Sequence, residues 1–277
     1  MNSLFRKPYF LPPEHGAWIW FIGPYLLGVA AGGQLRSELL WLLLAGLFAF
    51  LLRQPITILV KISAGRRDQR QWMPALIWAI VYSVLGLACL LPLLLSGYAQ
   101  LLALALPGML VFGWHLWLVR MRQERRRPGV QIVASGALSL LAPAAFWVAG
   151  GSGTLIAVTL WAASWLQAAA SIVLIHLRLE QRSWQSTPSV PIRLDHGWRA
   201  LSYHAFNLAA SLVMSAVLHL PIWIPLGFGF MLLDCADGVL RPAVGLRPSA
   251  IGIRQALSSA VFLGLAAIGF ARWIPAG

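Results

Sequence analysis

The sequence predicts an all-α membrane protein of nine transmembrane helices, N-terminus cytoplasmic and C-terminus extracytoplasmic. Three observations predict it. Hydrophobic residues make up 59% of the chain and charged residues only 10%, far from the balance of a soluble domain. Nine apolar stretches of about bilayer-crossing length occupy nearly all of the 277 residues. Of the 21 lysines and arginines, all but Arg36 and Arg272 fall at the N-terminus or around every second connection. Basic residues collect in cytoplasmic loops, so this alternation fixes an orientation.

The segment 1–16 is read as cytoplasmic and carries Arg6 and Lys7. The first apolar run, 17–33, ends in Val29-Ala30-Ala31 and could pass for a cleavable signal. The proline-rich approach to it and the charge alternation beyond it make it a retained helix instead. The second run, 39–60, returns the chain inward, and Arg53, Lys61, Arg66, Arg67 and Arg70 flank its inner end. Runs three and four, 73–95 and 101–119, lead to Arg120, Arg122, Arg125, Arg126 and Arg127. The fifth and sixth, 130–150 and 154–175, precede the longest predicted cytoplasmic loop, 177–202. The seventh and eighth, 203–218 and 220–240, lead to Arg241 and Arg247, and Arg254 lies just inside the ninth, 251–271. Nine spans leave no room for a soluble domain, so 1–277 is one polytopic membrane domain. Charge alternation without eukaryotic targeting signals fits a bacterial inner membrane.

The net charge of +13 sits in these connections. Anionic headgroups account for it, and nucleic-acid binding is not expected. Cys89 and Cys235 lie inside spans as packing residues, with no disulfide or zinc framework. Pro24, Pro55, Pro107, Pro143 and Pro225 can kink their helices. Gly28 and Gly32 suit close helix contact.

Ionisable groups within spans are costly, and so mark function by default. They gather at the predicted cytoplasmic ends: Glu14 and His15 before the first span, Arg53 in the second, and His115 in the fourth. Gln167, Ser171, His176, Arg178 and Glu180 end the sixth. Tyr203, His204 and Asn207 open the seventh, and Arg254 and Gln255 the ninth. The economical reading is one polar chamber open to the cytoplasm. Arginine forks bind phosphate or carboxylate bidentately, so Arg53 and Arg178, with His176, Glu180 and Tyr203, are the expected binding residues for an anionic head. Glu14, His15 and His204 are the expected proton-transfer residues. Each has a plainer role open to it: a helix-dipole partner for Glu14, snorkelling for Arg53, a solvated helix end for 176–180. Asp234 and Asp237 share a face, and a local bridge from Asp237 to Arg241 is favoured over a metal-holding pair. No metal site or cofactor is expected.

Pro13-Glu14-His15-Gly16-Ala17-Trp18, followed by Pro24 and Gly28, resembles the opening signature of the YwiC-like membrane proteins. Arg53-Gln54-Pro55, the basic stretch 120–127, His176-Leu177-Arg178-Leu179-Glu180, Tyr203-His204 and Leu246-Arg247-Pro248-Ser249-Ala250-Ile251-Gly252 extend the resemblance over nearly the whole chain. More distantly, helix count and orientation are similar to the UbiA-type intramembrane prenyltransferases. That similarity implies a nine-helix bundle with an active chamber on the cytoplasmic side. It also implies magnesium diphosphate held by aspartate motifs near the ends of helices 2 and 6. Here those places read Arg53-Gln54-Pro55 and His176 to Glu180, which disfavours metal-dependent prenyl transfer.

The reading that follows is a protein that binds or modifies an isoprenoid-like or lipid amphiphile with an anionic head, its partners being membrane lipids. A small-molecule transporter and an assembly factor are the alternatives, and the charge-poor outer half argues against transport.

Overall fold

The computed structural model describes residues 7–11, 17–123 and 128–273. Regular structure among them is helical throughout. A short α1 (Lys7–Phe10) precedes α2 (Ala17–Gly32), α3 (Glu38–Ser63), α4 (Trp72–Leu95), α5 (Leu101–Arg120), α6 (Pro128–Leu138) and α7 (Leu141–Val148). Then come α8 (Thr154–Gln181), α9 (Val190–Leu218), α10 (Trp223–Leu240) and α11 (Pro248–Ala271). Eight segments are long and apolar enough to cross a membrane, with α6 and α7 together making one, and the 16-residue α2 adds a shorter apolar helix. The nine predicted spans are therefore present.

Two expectations change in detail. The fifth span is broken after Leu138. Pro143 has no N–H to offer the Ser139 carbonyl one turn earlier, and that carbonyl accepts instead from the Ala142 N–H at 3.0 Å. The expected loop 177–202 is mostly helix, with only 182–189 between α8 and α9. On one side Leu177, Arg178 and Gln181 are buried and carry α8 onward. On the other, Ser189 is extended and Pro191 falls in the first turn, a favourable helix start. The charges of 193–199 lower the mean hydropathy of this stretch without breaking its helix.

Hydrogen bonds between connections sort them into two ends. At one end the Arg36 Nη1 donates to Tyr98 Oη (3.0 Å), the Gln34 N–H to the Ala149 carbonyl (3.0 Å), and the Trp273 indole to the Leu218 carbonyl (3.1 Å). At the other, Arg66 donates to the Val119 carbonyl, Arg182 Nε to the Leu246 carbonyl (2.9 Å), and Arg193 to the Leu240 carbonyl. The connections rich in arginine share this second end, called the basic end below.

α8 is the central post, with 67% of its apolar window buried, against 11% for α5, whose apolar side chains face outward. The main core packs Leu27, Phe146, Leu160, Ile224, Phe228, Met231 and Phe262 between α2, α7, α8, α10 and α11. α2 and α7 approach closely because Gly28 has no side chain. A Cβ there would lie 2.1 Å from the Ala142 carbonyl oxygen.

Candidate functional site

Near the basic end, α8, α9, α10 and α11 bury a seam of polar side chains. Arg254 on α11 is its hub. Its Nε (2.9 Å) and Nη2 (2.6 Å) donate to Asp234 Oδ1, and Nη2 also reaches Asp237 Oδ2 at 2.7 Å. Ser258 Oγ donates to the other Asp234 oxygen at 2.8 Å. Asp237 Oδ1 faces Arg241 at 3.3 Å, one turn on, which is the local bridge the spacing favours. The crossing contact from Arg254 has no such signal, because only the fold brings α11 against α10.

Arg178, 5% exposed, donates through Nη1 to the carbonyls of Gly238 (2.8 Å) and Arg241 (2.9 Å). These acceptors lie at the C-terminal end of α10, whose last carbonyls lack helical partners and carry the negative end of the dipole. Gln181 completes this cap, donating to the Gly238 carbonyl (3.2 Å) and accepting from the Ala243 N–H (3.2 Å). Gly238 leaves room for the approach, since a Cβ there would stand 3.2 Å from the Arg178 Nη1. Arg178 therefore positions the end of α10 and the two aspartates on it.

Deeper in the bundle, Gln167 Nε2 donates to the hydroxyls of Ser171 and Ser259 (both 3.0 Å), and Gln255 Nε2 donates to Ser171 (2.9 Å). Asn207 donates to the Leu166 carbonyl at 2.7 Å. His204 is 1% exposed. Its Nδ1 faces the Ala200 carbonyl at 2.9 Å, and a carbonyl can only accept, so Nδ1 carries the proton. Its buried Nε2 has no hydrogen-bond partner among the described residues. The expected chamber is thus largely a packed seam. Two cavities adjoin it, each of about 10 Å³. One is lined by Arg178, Asp234, Arg254 and Gln255, and the other lies between α2, α8 and α11.

The remaining predicted residues divide. Tyr203 is half-buried against the cluster of Leu177, Ala200 and Cys235, beside His204. His176 Nε2 meets Gln131 Oε1 of α6 at 3.0 Å. Glu180 pairs with His196 at 2.7 Å on an exposed face, with Trp184 edge-on to that histidine. Arg53 stands apart on α3, which packs chiefly on α4. Its guanidinium carbon lies 5.8 Å from the centre of the Phe50 ring, and it has further interactions within the protein. Phe50 in turn contacts Trp18 (5.3 Å between ring centres) and Phe21 (5.5 Å) at the start of α2. Glu14 and His15 lie outside the described residues.

A bundle of this helix order, with ionisable groups gathered at one end, defines a multi-pass membrane protein of UbiA-like fold. A solved structure reported for digeranylgeranylglyceryl phosphate synthase in membranes aligns over 93% of this chain and 94% of its own, with a TM-score of 0.55 and 14% identity. At that identity the likeness establishes the fold alone. The family model for YwiC-like protein matches residues 11–146. The signatures around Glu14 and Arg53 fall within this match, and those from His176 onward lie beyond it. Comparison with curated proteins finds no match.

Proposed function

We propose that this protein binds an amphiphile with an anionic head and an isoprenoid-like tail at its basic end, and that this end faces the cytoplasm across a bacterial inner membrane. The observation that carries the reading is the depth of Arg53. It stands ten residues before the end of α3 at Ser63, or about 15 Å along the helix. A half-buried guanidinium at that depth, against the aromatic cluster where the start of α2 meets α3 and with other interactions of its own, puts a positive charge where an anionic head could share it beside hydrocarbon. The structural neighbour is a synthase named for a phosphate-bearing isoprenoid lipid, which supports the same class of ligand.

The magnesium chemistry of the UbiA resemblance does not fit the residues present. Asp234 and Asp237 are both engaged by Arg254, and the ends of α3 and α8 offer arginine and histidine where aspartates would be needed. Among the described residues no three His, Cys, Asp or Glu side chains converge as a ligand set. The reading is therefore direct pairing of guanidinium with the anionic head. Arg178 acts as a positioning residue, and His204 Nε2 is the candidate proton acceptor of the seam.

The test is native mass spectrometry of protein extracted in mild detergent, with polyprenyl phosphate and phosphatidylcholine added in competition. The expected result is selective retention of the polyprenyl phosphate, reduced roughly tenfold by Arg53→Ala and only partly by Arg53→Lys. Arg247→Ala, in an exposed connection, should leave it unchanged. Equal retention of the two lipids, or indifference to Arg53→Ala, overturns the reading.

A further inference from the structure

We infer that the cavity between α2, α8 and α11 is a binding site for one water molecule, which joins α2 to the polar seam. The cavity is lined by Ile19, Trp20, Gly23 and Pro24 of α2, by Ser164, Gln167 and Ala168 of α8, and by Phe262 and Leu263 of α11. Its volume of about 10 Å³ is at the lower limit for holding one water. Size alone would not decide between a wet and a dry cavity, since small apolar cavities stay empty. The polar groups carried by the residues lining this one decide it.

Ser164 is 4% exposed, and its Oγ has no hydrogen-bond partner among the described residues. Thr159, a buried hydroxyl on the same helix, donates back to the Leu155 carbonyl at 2.8 Å, the bond a helical hydroxyl can make with its own backbone. Ser164 forgoes that bond on a residue that lines the cavity. The second group is a backbone carbonyl. Pro24 has no N–H, so the Trp20 carbonyl one turn earlier loses its helical donor, and Trp20 and Pro24 both line the cavity. The third is Gln167, whose amide nitrogen is occupied by Ser171 and Ser259 and whose amide oxygen can accept. A hydroxyl, a carbonyl without its helical donor and an amide oxygen on residues lining a water-sized space can supply a water with the two to four polar partners it needs. Gly23 helps define the space by letting Leu263 Cδ1 close over it, at 3.0 Å from where a Cβ would stand.

The consequence is mechanical. Gln167 belongs to the chain Gln255–Ser171–Gln167–Ser259, so the water extends that chain to α2, which leads back to the segment preceding Ala17. No ligand assignment at Arg53 is needed for this, and the two readings fail independently.

Two measurements test it. X-ray radiolytic footprinting generates hydroxyl radicals from internal water, so side chains touching a bound water oxidise although bulk solvent cannot reach them. In detergent-solubilised protein, Phe262 (0% exposed) should oxidise faster than Phe270 (3%) or Phe21 (2%), which line neither cavity. Ser164→Ala and Pro24→Ala should each lower the Phe262 rate toward that of Phe270. Thermal unfolding supplies the second reading through its sign. With water bound, Ser164→Ala removes a satisfied hydrogen bond and lowers Tm. In a dry cavity it removes an unsatisfied hydroxyl and raises Tm. A Phe262 rate no higher than that of Phe270, or a raised Tm for Ser164→Ala, overturns the inference.

Discussion

Replacing Arg254 by methionine keeps an unbranched stem against the bundle and deletes only the guanidinium. Asp234, with 12% of its side chain exposed, would then keep one donor, Ser258, and lose both bonds from Arg254. Breaking a buried ion pair from one side costs about 3–5 kcal/mol. Arg254 is itself 36% exposed, so water replaces part of what is lost, and the expected cost falls to about 2–3 kcal/mol. Asp234→Asn alone leaves Arg254 bonded to Asp237 at 2.7 Å and should cost about 1 kcal/mol, one hydrogen bond's worth. In the double variant no charge is stranded beside Ser258. It should therefore be less unstable than the sum of the two singles, by about 1.5 kcal/mol. Reversible unfolding in mixed micelles, followed by circular dichroism over the four proteins, gives that coupling directly. Additivity to within about 0.5 kcal/mol would refute the assignment of Arg254 as the bridge between α10 and α11.

Two further outcomes follow from packing and charge. Gly28→Ala should destabilise by about 3 kcal/mol, because its Cβ would fall 2.1 Å from the Ala142 carbonyl oxygen and 2.9 Å from both Ala145 Cβ and Phe146 N, and backbone cannot step aside. The same change at Gly108, where nothing lies within 4 Å, should stabilise by about 0.5–1 kcal/mol through helix propensity alone; equal effects at the two sites in thermal unfolding would sink the close-packing account. For orientation, alkaline phosphatase fused after Trp273 should be active, and green fluorescent protein inserted after Gln123 should fluoresce; the reverse pattern would invert the assigned topology.

The helices were legible because bilayer crossing imposes a length and a hydrophobicity that each span shows separately. Legibility failed where a neighbour, not the solvent, decides the outcome. The stretch 190–202 carries Arg193, Asp195, His196 and Arg199, which in one dimension look like a loop. In the fold they lie along a continuing helix begun by Ser189 and Pro191. The site shows the same division. Gln167, Ser171, Arg178, His204, Arg254 and Gln255 could all be marked as polar residues near one end, and they do meet in one seam. What they meet there could not be read. Sequence offers Arg178 as a ready anion ligand, yet its Nη1 is spent on two carbonyls of another helix. It offers Asp237 the partner four residues on, Arg241, but gives no means to place Arg254 between Asp237 and Asp234.

That placement bears on where an anionic head would sit. Within the seam the two carboxylates of Asp234 and Asp237 face the guanidiniums of Arg254 and Arg241, and Arg178 faces the negative end of the α10 dipole. Its charges are therefore largely balanced internally, and a phosphate entering it would have to displace a carboxylate already held by a forked, charge-assisted pair. Arg53 lies on α3, outside the seam, over an aromatic ring and beside the start of α2, where a proposed tail would have hydrocarbon to follow. The seam thus serves better as the frame that holds α8, α10 and α11 in register, which leaves the meeting of the start of α2 with α3 as the place where the proposed ligand would be tested. The arginine deep in α3, rather than the larger number in the loops, is the one whose replacement should be felt in binding.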